Sequence, residues 1–190
     1  LNKDIEIAQA SVSQPPNDLL DTRDKLISQL SELVGVSTVP QDNGAVNVFI
    51  GTGQPLVIGG TAQALGVRPS EFDLGRIDVV LETSSGPQPI TGAINGGQLG
   101  GFLQFRSQIL DEARDVLGQI ASGVAYAVNQ QNAAGLDLNG FLGGDIFSIA
   151  PPAALASTGN TSAATIGVQV SDIGALQPEE YLLRYDGTAW

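Results

Sequence analysis

The stretch GGQLGGFLQFRSQILDEARDVLGQIASGVAYAVNQQN constrains the fold more than any other feature of the chain. In it Leu103, Leu110, Leu117 and Val124 recur every seven residues, and Ala113, Ile120 and Ala127 stand three further on in each repeat. Two such parallel lines mark a helix with one apolar face. An unbroken helix of about 36 residues would run roughly 54 Å, more than a compact small domain needs. A complementary stripe lies upstream in NDLLDTRDKLISQLSELV, where Leu19, Leu26 and Leu33 form one line, Leu20, Ile27 and Val34 another, and Leu30 fills the middle. That width suits a helical bundle better than a narrow two-stranded seam. The expectation is therefore an elongated bundle in which 17–34 packs on 99–128, with the opening helix at their side. Leu110 would then be a core residue whose truncation to Ala costs about 2 to 5 kcal/mol.

The opening segment LNKDIEIAQASVS spaces Leu1, Ile5, Ala8 and Val12 as one helix face, and Pro15-Pro16 stops it because proline lacks an amide donor. Asn17 is the expected cap of the next helix, with Asp18 and Asp21 in its first turn, and Gly35 is its expected left-handed terminator. From Val36 the period changes. VSTV and AVNVFI flank Asn43-Gly44, the strongest short hairpin signal, and PLVIG and RIDVVLET supply further strands. In the last of these Ile77, Val79 and Leu81 should share one face, and Asp78, Val80 and Glu82 the other. The prediction is an α+β fold: a helical rod domain over 1–150 with a small antiparallel sheet inserted at about 36–92. Beyond Pro151-Pro152 an Ala/Ser/Thr/Gly-rich stretch opens a partial, mostly β second domain over 151–190, with TIGVQVS and EYLLRYDGTAW as strands and Asp186-Gly187 as a turn.

Composition narrows the chemistry available to such a frame. The chain of 190 residues has 8 basic and 20 acidic side chains, a net charge of −12, and no Lys or Arg between Arg114 and Arg184. Nucleic acid is not an expected partner, since phosphate binding rests on clustered cations. No apolar run is long enough to span a membrane. Cys and His are both absent, which removes thiol nucleophiles, imidazole bases and the common zinc ligands. Met is also absent, and Leu1 reads as an internal cut in a longer polypeptide rather than a start.

The remaining candidate sites each have a structural explanation that weighs more. Gly96-Gly97-Gln98-Leu99-Gly100-Gly101 leads into a helix, yet Phe102 and Leu103 stand where a phosphate loop needs Lys and Ser or Thr. Close backbone approach at a helix entry accounts for the glycines. Asp137, Asn139 and Gly140, with Asp145 nearby, offer oxygen ligands but lack the closing Glu of a calcium loop, and a turn explains them. Asp111, Glu112 and Asp115 beside Arg114, and Asp18, Asp21 and Asp24 beside Arg23 and Lys25, read as solvated helix faces rather than the paired acids of a hydrolase. Tyr181, Tyr185 and Trp190 could contact a carbohydrate, but burial in a strand is the simpler reading. No catalytic, cofactor-binding or metal residue is assigned, and no cofactor is expected.

Two blocks carry a family likeness: NDLLDTRDKLISQLSELVGV followed by QDNGAVNVFIGTGQPLVIGG, and GGQLGGFLQFRSQILDEARDVLGQIASGVAYAVNQQNAAGLDLNG ending in GGDIF. Together they resemble the hook-associated protein 1 family of the bacterial flagellum, whose members form the junction between hook and filament. The likeness covers 17–147. It implies a structural, non-enzymatic axial subunit, exported unfolded through the flagellar type III pathway and assembled as a ring outside the cell. Its implied partners are further copies of itself, the hook protein, a neighbouring hook-associated protein and an export chaperone for the full-length chain. The terminal coiled-coil segments that polymerise in this family would lie before Leu1 and after Trp190, so the fragment alone is expected to be a monomer. The alternatives are a flagellin or another hook-associated axial protein, then a surface adhesin or carbohydrate-binding module, and last an acid hydrolase.

Overall fold

Helix α1 (Asn2–Ser11) follows the apolar spacing of its sequence, and Ile5 is completely buried. A computed structural model describes residues 1–11, 15–177 and 181–188. Val12, the last residue of the expected α1 stripe, and Trp190 lie outside them. Helix α2 (Asn17–Leu33) begins at the expected cap residue itself, so that the cap lies one residue earlier. Pro16 is the cap position, its carbonyl accepts the Leu19 and Leu20 amides at 3.1 Å, and Asn17 is already helical. No side chain caps this end, and proline's restricted φ limits only the backbone entering the helix. Of the two apolar lines on α2, Leu20, Ile27 and Leu30 turn inward toward buried Val34, whereas Leu26 and Leu33 are exposed.

The Asn43-Gly44 signal is realised as expected. Strands β1 (Val36–Pro40) and β2 (Val46–Ile50) pair antiparallel from Val36 opposite Ile50 to Pro40 opposite Val46, and Gly44 takes a left-handed φ of 80° in the turn. Strands β3 (Gln54–Ile58) and β4 (Thr61–Ala62) complete a sheet of order β1-β2-β3-β4. A second sheet is built from β5 (Ala64–Pro69), β6 (Ile77–Thr83) and β7 (Gly86–Pro89). Two sheets thus replace the single one expected. In β6 Val79 and Leu81 are buried as predicted, but Val80 on the opposite face is buried too, and Ile77 at the strand's entrance is exposed.

The core joins Val34, Ile50, Val79, Leu81, Ile90 and Ile94, with Leu30, Leu56, Leu99 and Leu103 packed around it. It therefore ties the end of α2, both sheets and helix α3 (Gly97–Phe105) together. The chain crosses itself at this point with almost no room. The Gly35 amide donates to the Asn95 carbonyl at 2.7 Å and the Gly51 amide to the Gly35 carbonyl at 2.9 Å. A Cβ on Gly97 would stand 2.4 Å from the Val34 nitrogen, and its φ of 59° is itself a conformation that favours glycine. Gly35 serves the same crossing: a Cβ there would stand 2.5 Å from the Asn95 oxygen, and its φ is not positive. Its expected role as a left-handed helix terminator is replaced by close approach. All of this lies in a first compact unit, Leu1–Arg106 with Ser157–Gly159.

The expected single long helix is not regular. After α3 a π-helical turn, Arg106–Asp111, precedes α4 (Glu112–Ala133). A π turn adds residues per turn and so rotates every later side chain relative to the earlier ones. That phase change is the physical reason the seven-residue line does not stay buried. Leu103 packs on the core, but Leu110 is 47% and Leu117 67% exposed. Of the residues expected to pack in a bundle of 17–34 on 99–128, Leu99 and Leu103 instead lie on the core that Val34 shares with both sheets, and Leu110 and Leu117 are exposed.

The second unit, Ser107–Ala156 with Asn160–Trp190, centres on α4. Asn129, its buried polar residue, accepts the Ile146 and Phe147 amides at 2.9 Å and donates to the Phe147 carbonyl at 2.8 Å, pinning the segment after the helix against it. A short 3-10 turn, Ile173–Ala175, follows, and Gln119 donates to the Leu176 carbonyl beside it. The strands expected in 165–171 and 180–190 are not formed among the described residues, where the only sheet-like pairing beyond 150 is a bridge between Ala153 and Gly167. Val168, Leu182 and Leu183 are exposed, so no buried face holds those runs extended.

Candidate assembly surface

The chemistry-bearing residues singled out in the sequence are dispersed. Asp18, Asp21 and Asp24 are exposed along α2, and Glu112 and Asp115 along α4. Among the described residues no three His, Cys, Asp or Glu side chains are placed to hold a metal ion. An acid pair for hydrolysis would have to share a concave wall. The open groove beside α4, lined by Tyr126, Asn129, Asp145 and Phe147, has one carboxylate, Asp145. A second groove of about 330 Å³, lined by Leu26, Ile27, Leu30, Val46 and Val48, has none.

Asp137 has a structural duty. Its Oδ1 accepts the Asn139 and Phe141 amides, each at 2.8 Å, and the Gly140 amide donates to its carbonyl at 3.0 Å. The Phe141 amide, ahead of the Asn139 bonds, holds its carboxyl below the ordinary value against an opposing desolvation effect. The oxygen a cation would need is occupied by amides, which is a turn rather than an ion cage. The glycines from Gly96 to Gly101 likewise belong to the chain crossing, where Gly100 is buried against Asn95. Tyr181 and Tyr185 are exposed, contrary to the expected burial, and the Tyr185 hydroxyl donates to the Gly187 carbonyl at 2.9 Å.

Several positioning residues had no sequence signal beyond being polar within a helix or strand. Asn2 reads β2 as a neighbouring strand would, donating to the Val46 carbonyl at 2.8 Å and accepting its amide at 3.2 Å, while also donating to the Gly59 carbonyl at 2.7 Å. Arg23 is not a solvated partner of the neighbouring acids alone; it reaches the Gly44 carbonyl at 3.0 Å and clamps the hairpin turn to α2. Thr91 links β6 to the following turn by accepting the Val79 amide and donating to Asp78, both at 2.9 Å.

What remains is apolar surface. In the first unit Phe102 and Phe105 of α3, with Leu26 and Leu33 of α2, face outward. In the second, Ile109, Leu110, Leu117, Ile120 and Val124 form an exposed line, and from Val116 to Ala133 no residue is Asp, Glu, Lys or Arg. Exposed apolar side chains repeated along one helix are candidates for a contact surface. No described helix is long and apolar enough to cross a membrane. These exposed side chains are the candidate surface of the chain.

Comparison with known proteins places this geometry. Residues 1–147 match the family model described as the flagellar hook-associated protein FlgK helical domain. Flagellar hook-associated protein 1 of Escherichia coli strain K12 is 42% identical over 177 residues, covering 92% of this chain and 32% of that protein. The protein of the same name from Salmonella typhimurium strain LT2 is 40% identical over 178 residues, with the same coverage of 92% and 32%. The solved structure of the flagellar hook junction protein FlgK from Burkholderia pseudomallei superposes with a TM-score of 0.82 at 39% identity, covering 98% of this chain and 34% of that one. The chain spans about a third of the length of these relatives. Its mixed helix-and-sheet fold, its sequence and its match over most of its length agree: the chain belongs to the family of the flagellar hook-associated protein FlgK helical domain.

Proposed function

We propose that the chain is part of a structural subunit of the bacterial flagellum, one that assembles as an axial ring at the junction of hook and filament. The reading is supported by its family and, as the single physical observation, by the exposed apolar side chains Ile109, Leu110, Leu117, Ile120 and Val124, the last three in a stretch of α4 without charged residues from Val116 to Ala133. That line serves as contact surface for other helices of the axial assembly. Its partners are other copies of the subunit, the hook protein and a neighbouring hook-associated protein, with an export chaperone for the full-length polypeptide. The subunit acts outside the cell after passage through the flagellar export apparatus. It performs no catalysis, holds no cofactor and binds neither nucleic acid nor membrane.

In the same reading the helical domain extends over 1–150 and a second domain begins at 151; the family match, which ends at 147, supports that boundary. Immunogold electron microscopy of intact flagella, with antibody raised against this chain, tests the placement. Label confined to a band between hook and filament is expected. Label along the filament would instead favour a flagellin, and label on the cell body a surface adhesin.

A further inference from the structure

We propose that Asn95 is a site of spontaneous covalent modification, in which the Gly96 amide nitrogen closes on the Asn95 side chain and the ring then opens to aspartate or isoaspartate. The chain contains three Asn-Gly pairs, Asn43-Gly44, Asn95-Gly96 and Asn139-Gly140, and glycine's lack of a side chain leaves each following nitrogen sterically open to attack. Composition does not separate them. Hydrogen bonding does.

At the first pair the Gly44 amide donates to the Gln41 carbonyl at 3.0 Å. The Asn43 carboxamide is held at both ends, donating to Glu6 and accepting the Ala45 amide, each at 3.2 Å. At the third pair the Gly140 amide donates to the Asp137 carbonyl at 3.0 Å, and the Asn139 backbone amide to the Asp137 carboxylate at 2.8 Å. In both, ring closure must first break the bond that holds the nucleophilic glycine amide, and at Asn43 the carboxamide must be freed as well. At the second pair neither the Gly96 amide nor the Asn95 carboxamide has a hydrogen-bond partner among the described residues, and Asn95 is exposed. The bonds of this pair go to its backbone carbonyls, Asn95 accepting the Gly35 amide at 2.7 Å and Gly96 the Gly100 amide at 3.0 Å.

The chemistry is self-contained. The Gly96 nitrogen forms a bond to Cγ of Asn95 as the bond from Cγ to Nδ2 breaks, and the amide proton leaves with that nitrogen as ammonia. Water then adds to one of the two ring carbonyls, giving aspartate or isoaspartate with no electron transfer. The position matters because an isoaspartate inserts an extra carbon into the main chain at the tightest crossing of the fold. There a Cβ on Gly100 would already stand 2.5 Å from the Asn95 carbonyl carbon.

Peptide mapping by mass spectrometry tests this on the full-length protein, incubated in mildly alkaline buffer both native and in concentrated guanidinium. The readout is the mass gain from exchange of an amide for an acid, at each of the three asparagines. The denatured rates supply an internal reference free of structure. The native rate at Asn95 is expected to stay close to its denatured rate, while Asn43 and Asn139 are slowed roughly two- to tenfold, the factor that one ordinary hydrogen bond supplies. An Asn95 that is slowed as much as Asn43, or that converts more slowly than Asn139, would overturn the proposal.

Discussion

Single residues decide how tightly this chain can be drawn together, and they do so through backbone rather than side-chain chemistry. Gly97 is required twice over, by its positive φ and by the Val34 nitrogen in the space a Cβ would fill. Asp137 works the other way, its carboxylate gathering amides into a turn. Its carboxyl is held below the ordinary value of 3.8 in the folded chain, chiefly by the Phe141 amide. A lowered folded value means that the charged form favours the turn. This contribution is complete above the ordinary carboxylate range and disappears as pH falls through the lowered value. Hydrogen exchange of the Asn139 and Phe141 amides should therefore be slow at neutral pH and gain speed in acid beyond the intrinsic trend. The Asp137→Asn variant should lose that extra acid dependence.

At the scale of elements, periodicity and turn chemistry made α1, α2, the β1-β2 hairpin, β3 and β6 legible in the sequence. Strands β5 and β7 were not, because ALGVRP and GPQP carry the glycine and proline of a loop and become strands only through pairing with β6. The π turn at Arg106–Asp111 was equally hidden, since no residue type demands it; the Arg106 side chain donates to the Ile77 carbonyl at 3.1 Å beside it. Its effect on the candidate surface is the main lesson. Heptad spacing correctly picked out Leu110, Leu117 and Val124 as sharing a line, but a pattern of residues cannot say what covers it. Thermal and denaturant unfolding should separate the two halves of that pattern. Ile50→Ala, at a fully buried site, should cost about 2 to 5 kcal/mol, whereas Leu110→Ala should cost under about 1 kcal/mol.

The whole molecule is acidic and apolar by turns. Its net charge of −12 disfavours close approach of like-charged surfaces, and the span from Val116 to Ala133 carries no Asp, Glu, Lys or Arg. On the proposed reading, a subunit that is exported and then assembled would use both properties. The family match reaches 147, and the segment beyond 150 is where sequence expectation and structure part most, since its alternating runs find no partner strand among the described residues. The measurement that bears most directly on this account is the fraction of hooks carrying a filament in cells whose full-length protein bears Leu117→Asp, at matched secreted amounts. Because Leu117 is 67% exposed, the fold should tolerate the carboxylate while the helix contact does not, and the fraction should fall well below that of the parent. A fraction equal to the parent's would contradict the claim that this helix face is an assembly surface.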